Sequence, residues 1–144
     1  MPSVKDLMTK DVVTISSSKT VYDAVVLMTE KKIGCLIIID GTAPVGIVTE
    51  RDIVRKIVYQ RLLPHEIKIS EIMSKPLVTI APDSSLRDAA RLMLKNAIRR
   101  LPVIKENELV GMLVASDFAK HLSKENITEE ILDAIARYPP ELAF

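Results

Sequence analysis

The chain has 144 residues, which fits one compact domain or two very small ones. Its 20 Lys and Arg residues nearly balance 19 Asp and Glu residues, and the net charge of +1 gives no support to non-specific binding of nucleic acid or membranes. Hydrophobic residues make up 48% of the chain but aromatic residues only 3%, so the core must be built from aliphatic side chains. The single cysteine, Cys35, excludes an internal disulfide and is typical of a reducing compartment.

No apolar run approaches the roughly 20 residues that span a bilayer, and the N-terminal segment lacks the apolar centre of a signal peptide. We therefore expect a cytoplasmic protein that does not enter membranes. The positive mean hydropathy of +0.21 indicates that further surface is buried in an oligomer.

The chain repeats itself. Residues 4–53 match residues 69–118 at a constant shift of 65 positions, without a gap. We count 15 identities in 50 pairs, whereas unrelated sequences would give roughly three. The identities include Met8/Met73, Asp23/Asp88, Ile33/Ile98, Gly46/Gly111 and Asp52/Asp117.

The first copy predicts the element order βαββα. A short strand at 12–15 is followed by an amphipathic helix over 21–32, in which Val21, Ala24, Val25 and Met28 share one face. The apolar run at 35–40 predicts a strand buried on both faces. A turn, a strand at 44–49 and a helix that begins near Glu50 complete the copy.

The second copy predicts the same elements at 77–80, 86–97, 101–105 and 109–114, with a last helix from near Ala115. The link 61–66 joins the copies. The segment 126–138 predicts an additional helix, capped by Asn126 or Thr128. The predicted fold class is therefore α/β, with two tandem units at 1–64 and 65–123 and a helical tail at 124–144.

The segment GIVTERD at 46–52 follows a predicted strand and opens a helix. Thr49 and Asp52 have the spacing of a capping box, which satisfies free amides at a helix start. The second copy reads GMLVASD at 111–117, so that Val114 replaces the Thr and cannot act as a side-chain cap. Because Asp117 is nevertheless present, capping alone does not explain both acids.

The ordered set DLMTKDVVTIS, DAVVLMTEKKIG and PVGIVTERDI, repeated in the second copy, resembles the cystathionine-β-synthase (CBS) domain over about 1–123. The resemblance implies two βαββα units packed pseudo-symmetrically, each with a Gly-h-h-Ser/Thr-x-x-Asp turn that holds an adenosine ribose. A carboxylate can accept from both ribose hydroxyls, and the helix N-terminus offers amides to phosphate. The match is complete for Thr49 and Asp52. The second copy has Asp117 but lacks the Thr hydroxyl, which Ser116 would replace.

The resemblance also implies that each Asp works with the first strand of the other copy. The residues implied for the first site are Thr49, Asp52, Ile47, Met73, Pro76, Val78 and Ile98, and those for the second are Asp117, Ser116, Met112, Met8, Asp11, Val13 and Ile33. Apolar walls with a few polar backbone groups suit an adenine ring. Ordinary core packing of Met8, Val13, Met73 and Val78 is the open alternative.

Arg99 and Arg100 occupy family positions that carry Arg or His aimed at phosphates, and their counterparts Gly34 and Cys35 carry no charge. Adjacent side chains on a strand point to opposite faces, so one arginine faces a given site, and Arg99 is the expected contact. One tight and one weak site, or single occupancy, would follow. A solvated or dimer-contacting basic pair is the alternative.

The resemblance implies a non-catalytic regulatory module that binds an adenine nucleotide, with AMP or ADP preferred, AMP the first expectation and ATP a further candidate. It needs no cofactor or metal. Cys35, His65 and His121 are too widely separated for a nucleophile–base pair. A module sensing S-adenosylmethionine and a ligand-free interaction module remain open. The first expected partner is a second copy of the chain, which would pack through the helices at 53–59 and 118–122 to give a flat disc of four CBS units. The second is an unknown regulated protein. Nucleic acid is not expected as a partner.

Overall fold

A computed structural model describes residues 2–121 and 128–138, without the side chains of residues 120 and 121. The chain divides into two compact units. Residues 12–77 form the Asp52 unit, and residues 2–11 with the described part of 78–143 form the Asp117 unit. Each unit thus takes a segment from both repeats: 65–77 joins the first repeat, and 2–11 joins the second. The predicted α/β fold class is confirmed.

The helices and strands are, in chain order, α1 (Val4–Leu7), β1 (Thr14–Ser16), α2 (Val21–Lys31), β2 (Cys35–Asp40), β3 (Ala43–Thr49), α3 (Glu50–Ile53), α4 (Leu86–Asn96), β4 (Arg100–Lys105), β5 (Glu108–Val114) and α5 (Glu129–Arg137). A π-helical turn, Val54–Val58, continues α3. Short 3₁₀ segments lie at Pro64–Glu66, Ile69–Glu71 and Ala115–His121.

The Asp52 unit contains a three-stranded sheet in the order β1-β2-β3, with β1 parallel and β3 antiparallel to β2. The helix α2 begins with a capping box, in which Thr20 and Asp23 exchange side-chain and backbone hydrogen bonds. Its Val21, Ala24 and Met28 are buried, which confirms the predicted apolar face. The core of the unit also takes Ile69 and Ile72 from the start of the second repeat.

The Asp117 unit contains the two-stranded sheet β4-β5, and the strand predicted at 77–80 is reduced to a single parallel bridge between Ile80 and Val103. In the first repeat the amide of Ile37 donates to the carbonyl of Val13 at 3.2 Å. The residue equivalent to Ile37 is Pro102, which has no amide hydrogen. The ladder therefore loses this bond, and the prediction of a full strand at 77–80 was wrong.

The N-terminal segment of the Asp117 unit packs against the turn that precedes α4. The amides of Val4 and Lys5 donate to the carbonyls of Ser84 and Pro82 at 3.0 and 2.9 Å. Lys5 forms an ion pair of 2.7 Å with Asp83, which raises the pKa of the ammonium and lowers that of the carboxyl. Val4 is fully buried, so this segment belongs to the core of the unit.

The helix α5 confirms the prediction of an additional C-terminal helix. Thr128 is its N-cap and accepts from the amide of Ile131 at 3.3 Å; the alternative cap, Asn126, lies outside the described residues. Ile131 and Ala134 are buried in the same core cluster as Phe118. The helix α5 is therefore an integral layer of the Asp117 unit.

Candidate functional site

The Asp52 turn is held by a complete capping box. The strand β3 ends at Thr49, whose hydroxyl accepts from the amide of Asp52 at 3.2 Å. In return, Oδ2 of Asp52 accepts from the amide and the hydroxyl of Thr49 at 2.9 and 3.2 Å. The turn thus fixes one carboxylate oxygen of Asp52 against the backbone and leaves Oδ1 to face other partners.

The second oxygen of Asp52 has two partners that the sequence analysis missed. Ser74 donates its hydroxyl to Oδ1 at 3.3 Å, and Nζ of Lys56 lies 3.2 Å from the same oxygen. Lys56 also donates to the carbonyl of Ile72 at 2.7 Å, so one ammonium ties the turn to the segment that carries Ser74. The i,i+4 spacing of Asp52 and Lys56, and the hydroxyl shared by Ser74 and its repeat partner Thr9, were the available signals.

Gly46 allows the Ser74 segment to approach β3 closely. The backbones of Ile47 and Ser74 exchange two hydrogen bonds, of 2.8 and 3.2 Å. A Cβ added to Gly46 would lie 2.6 Å from Sδ of Met73 and 3.1 Å from the carbonyl oxygen of Ser74. The absence of a side chain at Gly46 therefore brings Met73 and Ser74 next to the Asp52 turn.

The Asp117 turn keeps half of the capping box. Oδ2 of Asp117 accepts from the amide of Val114 at 2.9 Å, while Val114 itself supplies no hydroxyl, as the sequence predicts. The inference that capping does not account for Asp117 was wrong, because its carboxylate satisfies this amide at the start of the turn. Asp117 is 1% exposed, a burial that an acidic side chain tolerates only with such partners.

The approach seen around Gly46 recurs at Gly111 in the Asp117 unit. Thr9 and Met112 exchange two backbone hydrogen bonds, each of 2.9 Å. A Cβ on Gly111 would lie 2.9 Å from the carbonyl oxygen of Thr9, with the side chain of Met8 also in contact. The two repeats therefore place an equivalent methionine, Met8 or Met73, and an equivalent hydroxyl residue beside the strand that leads to each Asp turn.

The arginine pair lies beside the Asp117 turn within the same unit. The carbonyl of Arg99 accepts from the amide of Ala115 at 2.8 Å, as the carbonyl of Gly34 accepts from Glu50 at 3.0 Å in the other repeat. Arg100 begins β4 and is paired with Val114, and both arginines are half-buried. The backbones of the two arginines thus anchor the start of the Asp117 turn. This anchoring does not depend on which partner the guanidinium groups bind.

The remaining predicted residues divide between the two units. In the Asp52 unit, Met73, Val13 and Ile33 pack against the core, Ile47 lies on β3, and Pro76 is exposed. In the Asp117 unit, Met8, Val78 and Ile98 pack against the core and Met112 lies on β5. Ser116 is half-buried there, and Asp11 is exposed. The structure thus gathers Met73 and Pro76 into the unit of Asp52, and Met8 and Asp11 into the unit of Asp117. The pairings of Asp52 with Val78 and Ile98, and of Asp117 with Val13 and Ile33, stay predictions.

An open cavity of about 310 Å³ lies at the end of α2 in the Asp52 unit. It is lined by Met28, Thr29, Lys32, Ile33, Gly34 and Glu50. The cavity thus contains Ile33, one of the predicted adenine contacts, together with Gly34, the counterpart of Arg99. Lys32 is the one cationic side chain in this lining.

Neither a metal centre nor a membrane span is present in the described parts of the chain. Within residues 2–121 and 128–138, no three His, Cys, Asp or Glu side chains are grouped so that they could hold a metal ion. None of the helices in these ranges is both long enough and apolar enough to cross a bilayer.

The family comparison decides the relationship of the two repeats. The model of the CBS domain matches residues 4–59 and again residues 69–124. This chain belongs to the CBS domain family. As a tandem pair of CBS domains, it is a regulatory module.

Relatives of this CBS pair include the CBS domain-containing protein YhcV of Bacillus subtilis, which is 38% identical over 83% of this chain and 84% of that protein. The mitochondrial CBS domain-containing protein CBSX3 of Arabidopsis thaliana is 35% identical, and the chain spans 58% of its length. A hexameric CBS-CP12 protein from bloom-forming cyanobacteria is 37% identical, with a TM-score of 0.80 over 97% of this chain and 80% of that chain. Hypoxic Response Protein I, which holds two coordinated zinc ions, is 30% identical with a TM-score of 0.76 over 85% of this chain and 100% of that chain.

Proposed function

We propose that this CBS pair is a non-catalytic sensor that binds an adenine nucleotide, AMP in preference to ADP and ATP. The observation that carries the proposal is the Asp52 turn. Its carboxylate is fixed at a strand end through Oδ2, while Oδ1 meets a hydroxyl, that of Ser74. A ribose hydroxyl is the same kind of donor, so an adenosine can take the place of Ser74 at this oxygen.

The Asp52 site is the better formed of the two proposed sites. It has the full Thr-x-x-Asp pattern, and the side chain of Asp52 is 13% exposed. Asp117 is 1% exposed and lacks the threonine hydroxyl. A ligand that approaches Asp117 has to enter a more enclosed position, so we expect one tight and one weak site in each chain.

The phosphate end of the ligand needs positive charge. Arg99 is the proposed contact, because it occupies a family position that carries Arg or His aimed at phosphates. Its counterpart Gly34 has no side chain, which limits the number of arginines that the pair offers. Two nucleotides that share one guanidinium would repel each other at short range, in keeping with unequal occupancy.

Calorimetric titration with AMP, ADP, ATP, adenosine and S-adenosylmethionine tests the proposal. We expect the strongest binding for AMP, and a larger loss of affinity in Asp52→Ala than in Asp117→Ala. A thermal-shift series gives a second readout, since a ligand at 100 times its Kd adds roughly 2.7 kcal/mol to the free energy of unfolding. Absence of heat with every adenine nucleotide at millimolar concentration refutes the sensor function.

A ligand-free assembly module is the second candidate, and a specific observation favours it. The carboxylate of Asp52 already has four donors within the unit, from Thr49, Ser74 and Lys56. The turn is thus complete without a ligand. If the titrations above show no binding while the protein assembles, this second function replaces the first.

We propose a second copy of the chain as the macromolecular partner. The Asp52 unit exposes large apolar side chains on the π-helical turn and the segment after it: Val54, Val58, Tyr59, Leu62 and Leu63. Such a set on one short segment is typical of an interaction surface. The corresponding position in the Asp117 unit differs from the sequence prediction, because Phe118 is only 2% exposed and packs with α5; Leu122 lies outside the described residues.

A further inference from the structure

The helix α5 depends on its docking site for its stability. It has nine residues, and isolated helices of this length are marginal in water. Only Ile131 and Ala134 are deeply buried, whereas Leu132 on another face is 52% exposed. The helix is therefore formed by docking, and a change that weakens the docking also unfolds it.

A carboxylate on the first turn of α5 closes the docking contact. Oε1 of Glu130 accepts from Nε of Arg87 at 3.2 Å and from Nη2 of Arg91 at 3.3 Å. The two arginines lie one turn apart on α4 and are themselves about half exposed. We call this three-residue contact the Glu130 clamp. Because its guanidinium groups reach solvent, its strength depends on ionic strength.

The surface under α5 includes the segment that carries Asp117. Ile131 and Ala134 share a core cluster with Ala115 and Phe118, the residues that flank Ser116 and Asp117. Phe118 is 2% exposed and directly follows the carboxylate that holds the amide of Val114. Undocking of α5 would remove Ile131 and Ala134 from the core cluster in which Phe118 is buried, so it would expose Phe118.

The segments that follow the two Asp turns differ in conformation, which agrees with α5 covering the segment after Asp117. After Asp52 the backbone continues as α-helix and π-helical turn, and Val54 and Val58 are exposed. From Ala115 to His121 the chain is 3₁₀, a form that is uncommon over seven residues. The covered segment thus has a conformation that its repeat counterpart does not adopt.

We propose that α5 is a reversible latch on the Asp117 unit, closed by the Glu130 clamp, and that its opening exposes Phe118 and loosens the Asp117 turn. In the closed state the latch fixes the carboxylate that caps Val114. In the open state the 3₁₀ segment gains freedom and presents an apolar side chain to solvent. This inference concerns the state of the unit itself and stands independently of nucleotide binding.

Amide hydrogen exchange of the full chain tests the latch, with Glu130→Gln compared to Glu129→Gln. Both variants remove one charge from the first turn of α5, but Glu130 alone belongs to the clamp. We expect Glu130→Gln to raise the exchange of the α5 amides by about tenfold relative to Glu129→Gln. The amide of Val114 should accelerate with them, while amides of Leu36–Ile38 in the Asp52 unit report that the rest of the fold is unchanged.

Two results overturn the latch. Equal exchange of α5 in the two variants shows that the clamp does not hold the helix. Faster exchange of α5 with an unaltered Val114 amide shows that the helix opens without affecting the Asp117 turn. A salt series adds a separate check, since 1 M salt should open α5 in the natural protein and have less effect on Glu130→Gln.

Discussion

The hydroxyl of Ser74 lies 3.3 Å from Oδ1 of Asp52, the oxygen that we propose accepts from a ribose hydroxyl. The two residues are 22 positions apart and are brought together by the paired backbones of Ile47 and Ser74. The carboxylate of Asp52 is thus satisfied within the protein before the proposed ligand arrives. Binding becomes an exchange of one hydroxyl for another rather than the filling of an unsatisfied site.

Ser74→Ala should therefore tighten binding of AMP. The variant removes the internal competitor for Oδ1, and a hydrogen bond of this kind contributes about 0.5–1.5 kcal/mol. Calorimetry should show an affinity gain of a few-fold for AMP and for adenosine alike. Ser18→Ala, which removes a hydroxyl that lies against Ser16, is the matched control and should leave the affinity unchanged. A weaker affinity in Ser74→Ala would mean that Ser74 contacts the ligand instead.

Arg99→Ala should distinguish the contribution of the phosphate to AMP binding from the contribution of the nucleoside. Loss of a charge-assisted contact costs about 1.5–3 kcal/mol, so the affinity for AMP should fall strongly while that for adenosine stays nearly constant. Arg100→Ala is the control, because it removes the same charge one residue along the strand. Equal losses of AMP and adenosine in Arg99→Ala would assign this side chain to the fold or to the base contact.

Gly46→Ala should destabilise the Asp52 unit. The new methyl group meets the carbonyl of Ser74 at 3.1 Å, a backbone atom that cannot turn away as the end of Met73 can. Overpacking of this kind costs about 1–3 kcal/mol, measurable by urea unfolding. Gly41→Ala is the comparison: its φ of +65° is strained for alanine, but no atom lies within 4 Å of the added carbon. A smaller loss for Gly46→Ala than for Gly41→Ala would show that the Ser74 segment moves without cost.

Val58→Glu should dissociate the proposed homodimer. Val58 is 65% exposed, so the substitution puts a charge on the apolar surface without disturbing the core. Light scattering at micromolar concentration should show a dimer for the natural chain and a monomer for the variant. Leu132→Glu, at a 52% exposed position on α5, should remain dimeric. A natural chain that is already monomeric refutes the dimer, as does a dimer that survives in Val58→Glu.

Acid should open the Glu130 clamp over a defined range. The backbone amide of Glu130 itself, followed by Arg91 and Arg87, lowers the pKa of this carboxyl to about 2 from its ordinary value of 4.5. Because the pKa is lowered in the folded state, the stabilising effect is complete above about pH 4.5 and is lost as the pH falls through about 2.

The measurement for this range is the protection factor of the α5 amides in the natural chain and in Glu130→Gln. The difference between the two proteins should be constant near neutral pH and vanish towards pH 2. Asp88 lies 4.0 Å from Arg91 on the same surface, so the comparison with Glu130→Gln is what isolates the clamp. A difference that disappears already at pH 6 would contradict the assignment.

Much of the fold could be predicted because the repeat doubles each weak signal. The apolar face of α2, the cap at Thr128 and the turns at Asp52 and Asp117 are local features, set by side-chain period and short hydrogen bonds. The absence of a full strand at 77–80 could also have been predicted, because Pro102 replaces Ile37, whose amide makes a strand hydrogen bond in the first repeat. That signal was overlooked because the apolar run alone favours a strand.

The rest depends on contacts between distant parts of the chain. Ser74 reaches Asp52 because Gly46 lets two backbones approach, and no pattern within either segment specifies that pairing. The cover over Phe118 has the same origin. The amphipathic pattern of α5 predicts a buried face. The place where this face docks is determined by packing against α4 and by the two arginines that bind Glu130.

Because each unit contains a segment from the other repeat, the two units can be completed only in a fixed order during synthesis on the ribosome. Residues 2–11 are made before the Asp52 unit, yet their partners begin at residue 78, after that unit has been made. At about 5–20 residues per second, the N-terminal segment waits for several seconds with Val4 and Leu7, core residues of the finished protein, open to solvent. All described segments of the Asp52 unit have been made by residue 77, so this unit is complete before residues 2–11 can find their partners.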